Sequence, residues 1–125
     1  MMMNTFENVN ITCADGYGLS GRFYPSKQQS TQLPILVCPA TGITQSFYHN
    51  FIEWLTTQNF DVLVFDFRGI GASLHGPLSQ SQASIQDWGQ LDIPAAIEFL
   101  LLKTQKPQIT LLGHSAGGQL LGTAP

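Results

Sequence analysis

Apolar and polar residues follow two different periods along this chain, and each change of period marks a predicted element. Asn8–Ala14 alternates apolar with polar side chains, which is typical of a strand with one exposed face. Asp15-Gly16 is a turn signal, and Leu19–Tyr24 follows it as a second extended run. We therefore predict an antiparallel pair of strands at the start of the chain.

Three further runs are apolar at nearly every position instead of alternating. They predict strands over Pro34–Cys38, Asp61–Phe67 and Gln108–Leu112. Continuous apolar runs are typical of strands that are covered on both faces, as in parallel sheets. We expect these three strands to lie side by side between two layers of helices.

Helical spacing occurs between the first and second of these runs. Phe47, Phe51, Trp54 and Leu55 recur at i, i+4, i+7 and i+8, which predicts a helix with this stripe in the core. Phe47 and Tyr48 have an alternative interpretation, in which they line a pocket for an acyl group. Core packing is the simpler of the two interpretations and is the one we expect.

A second helix is predicted between the last two apolar runs. Ser84 stands three residues before Asp87, as in the box that begins many helices, and the pattern continues to about Thr104. Pro94 removes one backbone hydrogen bond and crowds the preceding turn, so we expect it to kink or split this helix. The alternation of strands and helices predicts an α/β fold with a mostly parallel sheet of about five strands.

Composition narrows the class of protein. The chain has 125 residues, of which 43% are hydrophobic and only 10% are charged, so a core is available and intrinsic disorder is not expected. Five Lys and Arg stand against eight Asp and Glu, a net charge of −3, and the basic residues are scattered. This balance opposes binding to nucleic acid, which depends on clustered positive charge.

Targeting signals and cofactor motifs are missing from the sequence. Its first residues lack the basic and apolar segments of a secretory signal, and no apolar run reaches the ~20 residues that a bilayer requires. Cys13 and Cys38 lie in apolar runs, which is typical of buried, reduced thiols, so we expect a cytoplasmic protein without a membrane span. The cysteines are isolated and the three histidines are far apart, so no metal site and no cofactor are predicted.

The last apolar run leads into Gly113-His114-Ser115-Ala116-Gly117, which matches G-x-S-x-G. In this motif a tight strand-to-helix turn exposes the serine Oγ above the sheet. The turn brings backbone segments so close together that the positions two before and two after the serine need almost no side chain. Gly113 and Gly117 meet that requirement, and the amide of Ala116 is placed to donate to a developing oxyanion.

With this motif the chain resembles the α/β-hydrolase family, and two other segments agree with the resemblance. Asp66–Ser73 matches the D-x-R-G-x-G-x-S turn that follows the fourth strand in many members. Cys38–Gly42 occupies the position after the third strand, where many members carry His-Gly and a second oxyanion donor. The resemblance implies that the backbone amide of Thr41 is this donor. Pro39-Ala40 replaces His-Gly here, which changes the support of the loop but keeps the N–H.

Asp66 and Arg68 have two interpretations. A carboxylate near a catalytic serine could be the acid of a triad. An Asp-x-Arg pair beside a Gly-x-Gly turn more often fixes that turn through a charge-assisted hydrogen bond. We expect the structural role for both residues.

The triad itself is incomplete in this sequence. In the family the order is serine, then an acid, then histidine, whereas the ten residues after Ser115 contain no Asp, Glu or His. The side chain of His114 is expected to point away from the serine Oγ, and His49 or His75 would require a rearranged triad. We therefore expect residues 1–125 to be a single incomplete α/β-hydrolase domain, the N-terminal part of the fold truncated after the nucleophile turn.

The resemblance implies a serine hydrolase that cleaves a small-molecule ester, thioester or amide through an acyl-enzyme on Ser115. We expect the 125-residue chain alone to be inactive. An acyltransferase on the same fold would differ only in the acceptor of the acyl group. A third possibility is a non-catalytic module that self-associates through the open edge of its last strand.

Overall fold

The computed structural model describes residues 5–30, 32–40, 42–75 and 85–114. Within them lies one five-stranded sheet in the order β1-β2-β4-β3-β5. The strands are β1 (Glu7–Thr12), β2 (Gly18–Tyr24), β3 (Ile35–Cys38), β4 (Val62–Phe65) and β5 (Thr110–Gly113). All five predicted strands are therefore confirmed, with ends that differ by one or two residues from the apolar runs.

The sheet is mixed, as the two periods predict. β1 pairs with β2 and β2 with β4 in antiparallel fashion. β3 pairs in parallel with β4 on one side and with β5 on the other. The predicted α/β architecture, an antiparallel pair that precedes a parallel set, is confirmed.

Helices connect the parallel strands. A 3-10 helix (Gln45–Tyr48) runs directly into α1 (His49–Thr57) between β3 and β4. After β4, a short 3-10 turn covers Gly71–Ser73. The connection to β5 contains α2 (Ile85–Asp87), a π-helical turn (Trp88–Asp92) and α3 (Ile93–Thr104).

Pro94 was expected to kink or split the helix, and the structure shows a change in hydrogen-bond spacing before it. Pro94 lies in the first turn of α3, immediately after the π-helical turn. The Ile93 amide donates to the carbonyl of Trp88, five residues back instead of four. The helical backbone continues without interruption from Ile85 to Thr104. The spacing therefore changes next to the residue that lacks an N–H.

Both faces of the parallel strands are covered, because alternate residues enter different cores. One face of β3 and β4 contributes Leu36 and Leu63 to a cluster that contains Ile93 and Leu100 of α3. The other face contributes side chains such as Val37 to a second cluster beneath α1. This is the two-layer covering that continuous apolar strands require.

The prediction that the aromatic stripe of the first helix is core was wrong for three of its four residues. Phe47, Phe51 and Trp54 are 67%, 45% and 57% exposed, and only Leu55 of the stripe is buried. The helix turns another face inward, formed by Tyr48, Ile52, Leu55 and Thr56. This second face has the same i, i+4, i+7, i+8 spacing, one residue later, so periodicity could not choose between them.

Strand β5 differs from the other parallel strands in its exposure. It pairs with β3 along one edge, and Leu111 and Leu112 are 40% and 39% exposed. Its apolar sequence had predicted burial on both faces. The part of the chain that the structure describes places no further strand against its outer edge.

Both cysteines are free and buried, as their apolar surroundings predict. Burial raises the pKa of the Cys13 thiol and of the Cys38 thiol to about 12. Neither thiol is therefore ionised at neutral pH, and both act as small apolar side chains. Over the described ranges no helix has the length and apolar character needed to span a bilayer.

Candidate active site

The candidate site lies where two parallel strands end side by side. Cys38 and Gly113 are the last paired residues of β3 and β5. One further backbone hydrogen bond continues the ladder, from the amide of His114 to the carbonyl of Cys38, at 3.1 Å. The loop after β3 and the turn after β5 therefore leave the sheet as neighbours, at the carboxyl edge where α/β sheets bind ligands.

A buried tyrosine links these two segments. The amide of Ala40, in the loop after β3, donates to the hydroxyl oxygen of Tyr48 at 2.8 Å. The same oxygen lies 2.9 Å from Nδ1 of His114, and the two rings meet edge to face with centroids 5.8 Å apart. Tyr48 is only 7% exposed and packs in the core beneath α1. A fixed side chain thus contacts both segments.

Most of the predicted site residues fall beyond what the structure describes. Gly113 is placed at the end of β5, as the motif requires. Ser115, Thr41, Ala116 and Gly117 lie outside the described residues. The two segments that lead to them, through Ala40 and His114, are described and are adjacent.

Asp66, directly after β4, accepts hydrogen bonds from neighbouring amides. Its Oδ1 accepts the backbone N–H of Gln45 at 2.7 Å, and its Oδ2 accepts the Gln45 carboxamide and the Ala72 amide, both at 3.0 Å. The carboxylate is 2% exposed. It ties the 3-10 helix that precedes α1 to the Gly71–Ser73 turn, so the structural interpretation of Asp66 is confirmed.

Arg68 does not pair with Asp66, contrary to the expected Asp-x-Arg contact. Its Nε donates to Asp92 at 2.7 Å, and its two terminal nitrogens donate to Asp15 at 2.7 and 3.1 Å. The Arg68 amide also donates to Asp92, at 2.8 Å, and Trp88 Nε1 donates to the Arg68 carbonyl. Arg68 therefore fixes the turn through partners that are distant in the sequence.

The pKa shifts of Arg68 and Asp15 agree with this arrangement, whereas burial raises the pKa of Asp92 against the hydrogen bonds from Arg68. Burial opposes the charge of Arg68, yet the hydrogen bonds to Asp15 and Asp92 outweigh it and raise the guanidinium pKa. The hydrogen bonds from Arg68 lower the pKa of Asp15. Since the Asp92 side chain has no exposed area, the ion pair is shielded from water on one side and open on the other, where Asp15 is 40% exposed.

Neither of the histidines considered for a rearranged triad lies at the ends of β3 and β5. Nδ1 of His49 lies 2.9 Å from the Tyr24 hydroxyl, on β2, and its Nε2 lies 3.5 Å from Glu53. Nε2 of His75 lies 2.7 Å from the carbonyl of Gly18, also on β2. Three strand spacings, about 14 Å, separate β2 from β5. Both histidines are therefore held away from the turn that leads to Ser115.

The sequence alone did not predict the contacts of two residues, Tyr48 and Asp92. The sequence gives Tyr48 only two interpretations, core packing or lining of an acyl pocket, and it predicts no role for Asp92. The signal for Asp92 is an acid between two apolar residues, Leu91 and Ile93, in the middle of this helical segment. Within the described ranges, no group of three metal-ligating side chains comes together.

A comparison with protein families identifies residues 34–124, more than half of the chain, with the profile described as alpha/beta hydrolase fold. The uncharacterized protein YfhR of Escherichia coli (strain K12) is 32% identical over 117 residues. That alignment covers 90% of this chain and 39% of YfhR. The chain thus spans about two fifths of the length of this curated relative.

Solved structures with the same fold include two esterases. The Pyrococcus furiosus esterase Pf2001 is 22% identical with a TM-score of 0.71, over 92% of this chain and 44% of that one. A thermostable carboxyl esterase from Bacillus coagulans is 14% identical with a TM-score of 0.72, over 94% of this chain and 39% of that one. At these identities the likeness shows the fold alone.

Proposed function

Because this chain belongs to the alpha/beta hydrolase family, we propose that it carries the nucleophile and the oxyanion hole of a serine hydrolase. Ser115 is the nucleophile, and the backbone amides of Thr41 and Ala116 donate to the oxyanion. One observation carries the proposal: the loop that leads to Thr41 and the turn that leads to Ser115 leave adjacent parallel strands, whose last pair is Cys38 and Gly113.

The proposed reaction begins with attack of the Ser115 Oγ on the carbonyl carbon of a small-molecule ester, thioester or amide. A base takes the hydroxyl proton as the bond forms, and the carbonyl oxygen becomes an oxyanion held by the two amides. Collapse expels the protonated leaving group and leaves an acyl-enzyme, which water then hydrolyses. With another acceptor in place of water, the same site would act as an acyltransferase.

The esterase names of two structural neighbours support an ester as the first substrate class to test. Residues 116–125 contain no Asp, Glu or His that could serve as base or acid. His49 and His75 are bonded to β2 instead. We therefore propose that the 125-residue chain alone reacts slowly, through its oxyanion donors and without an activated nucleophile.

The test of this function is covalent labelling with an activated fluorophosphonate, followed by mass spectrometry of the labelled peptide. We expect slow labelling at Ser115 and its loss in Ser115→Ala. The chain should hydrolyse an activated ester no more than roughly 10³- to 10⁴-fold faster than water does. This is the rate enhancement that remains when a member of a catalytic triad is removed.

Labelling that persists in Ser115→Ala would contradict the assignment of the nucleophile. Fast, Ser115-dependent ester hydrolysis that is abolished in His49→Ala or His75→Ala would instead show that a rearranged triad exists. The two histidine variants are matched controls, since each removes a side chain that contacts β2 and should leave the slow labelling unchanged.

A second candidate function is self-association through β5. The observation that favours it is that, among the residues the structure describes, this apolar strand is paired on one edge only, with Leu111 and Leu112 about two fifths exposed. Unpaired strand edges with apolar side chains recruit further strands. We expect light scattering of the 125-residue chain to show dimers or larger species, and Leu111→Lys to shift it toward the monomer. A monomer across the micromolar range would remove the support for this function.

A further inference from the structure

Tyr48 holds the loop after β3 and the turn after β5 at a fixed separation. It is the last residue of the 3-10 helix and lies against the core beneath α1, where 7% of it is exposed. Its hydroxyl oxygen is 2.8 Å from the amide nitrogen of Ala40 and 2.9 Å from Nδ1 of His114. Ala40 and His114 are the residues that directly precede Thr41 and Ser115 in the sequence.

The backbone N–H of Ala40 fixes the direction of one of the two hydrogen bonds of the Tyr48 hydroxyl. The Ala40 N–H donates, so the phenol oxygen accepts there, and its own proton needs a different acceptor. Nδ1 of His114 lies within hydrogen-bond distance and accepts that proton in the tautomer that protonates Nε2. Burial raises the pKa of Tyr48, against the opposing effect of the hydrogen bond from Ala40, so the phenol stays protonated at neutral pH.

An oxyanion hole depends on the separation of its two donors. Both N–H groups must lie about 2.7–3.1 Å from one oxygen, and a displacement of 1 Å can cost about 100-fold in rate. The strand ladder fixes Cys38 against Gly113 and ends with the hydrogen bond from His114 to Cys38. Among the described residues, the Tyr48 hydroxyl is the side-chain contact that joins the two segments beyond this point.

We propose that Tyr48 is a positioning residue, whose hydroxyl sets the distance between the two segments that carry the oxyanion donors. This role rests on the proposed function, since it assigns no chemistry to Tyr48 itself. Phenylalanine at this position would keep the packing and the edge-to-face contact with His114 but would leave Ala40 and His114 without their shared partner. The two segments would then be free to separate.

The chain offers a matched control in a second tyrosine–histidine pair. The Tyr24 hydroxyl also lies 2.9 Å from a histidine Nδ1, that of His49, and Tyr24 is fully buried on β2. Tyr24→Phe therefore removes the same chemical contact from the same type of environment, while leaving Ala40 and His114 untouched.

The first measurement is NMR of the ¹⁵N-labelled 125-residue chain under conditions where circular dichroism shows each variant to be folded. In Tyr48→Phe we expect the Ala40 amide to exchange with solvent about tenfold faster, the worth of one hydrogen bond, and the amide signals of Gly113 and His114 to shift. Tyr24→Phe should change none of these. If Ala40, Gly113 and His114 are unchanged in Tyr48→Phe, the bridge does not couple the segments and the proposal is overturned.

The second measurement is the rate of fluorophosphonate labelling at Ser115. We expect it to fall about 10- to 100-fold in Tyr48→Phe and to stay within twofold of the parent in Tyr24→Phe. An unchanged rate in Tyr48→Phe, beside altered NMR signals, would overturn the positioning role while leaving Ser115 as nucleophile. Labelling that does not depend on Ser115 would refute the proposed function instead, and would reduce the bridge seen by NMR to a purely structural contact.

Discussion

Arg68→Met should lower the free energy of unfolding by about 3 to 5 kcal/mol, the usual cost of removing one partner of a buried ion pair. The substitution leaves the Asp92 carboxylate, which has no exposed area, without the guanidinium that donates to it at 2.7 Å. Asp15 loses a partner as well, but its partly exposed carboxylate is returned to water at little cost. Urea denaturation with linear extrapolation measures the difference.

The loss of unfolding free energy in Arg68→Met should become smaller at acidic pH. In the parent, burial already raises the pKa of Asp92 against the hydrogen bonds from Arg68. Loss of the guanidinium raises it further above the unfolded value of about 3.9, although the amide of position 68 and the Cys13 thiol still donate to the carboxylate. The folded variant then holds a proton that the unfolded chain releases, so its stability falls as the pH rises from about 4 toward neutrality. The deficit relative to the parent should be largest near pH 7 and smaller near pH 4.

Two control variants separate the ion pair from other effects of the substitution. Lys103→Met removes a cation that pairs with Glu7 on the surface, where both side chains are more than a third exposed, and should cost less than about 1 kcal/mol. The double variant Arg68→Met/Asp92→Asn removes both charges and keeps an acceptor for the amide of position 68, so it should lose less than Arg68→Met alone. An Arg68→Met deficit no larger than that of Lys103→Met would contradict the assignment.

Gly71→Ala should lower the free energy of unfolding by about 2 to 4 kcal/mol, from backbone strain and overpacking together. Gly71 has φ = +50°, a left-handed conformation that L side chains rarely adopt. A Cβ there would lie 2.8 Å from Oδ2 of Asp66 and 3.0 Å from Cγ2 of Thr44. The carboxylate would have to move away from the Gln45 and Ala72 amides, which donate to it.

Gly16→Ala is the matched control for this substitution. Gly16 also has a positive φ, of +88°, but a Cβ at that position would meet nothing within 4 Å. It should therefore show the strain alone, about 1 kcal/mol. The same urea titrations measure both variants. If Gly71→Ala and Gly16→Ala lose the same free energy of unfolding, the crowding against Asp66 does not destabilise the fold.

Local patterns in the sequence were sufficient to predict the strands, because each property involved is local. Alternation in β1 and continuous apolarity in β3 and β4 follow from which faces are covered, and the special position of Pro94 follows from its one missing N–H. Local sequence did not determine which face of α1 is buried. Two stripes one residue apart fit α1 equally well, and only the sheet beneath it decides between Phe51 and Ile52.

Contacts between residues that are distant in the sequence could not be predicted from local patterns. Arg68 lies two residues from Asp66, yet it binds Asp15 and Asp92, which are 53 and 24 positions away. Proximity in the sequence favoured the wrong acid, because strand ends bring together residues from different connections. The Tyr48 bridge has the same origin, since it spans 66 positions to reach His114. The G-x-S-x-G motif, by contrast, is a pattern of five consecutive residues and can be recognised from the sequence alone.

The π-helical turn at Trp88–Asp92 amounts to one inserted residue in an otherwise regular helix. Each residue of an α-helix advances the direction of the side chains by about 100°. Deleting one residue of this turn would therefore rotate the preceding part of the helix by that angle relative to α3. Trp88, which now stacks on Phe67 with centroids 4.8 Å apart, and the inward face of α3 could not then both reach the core. Length changes in homologous chains should be rarer in this turn than in the surface loops beside it.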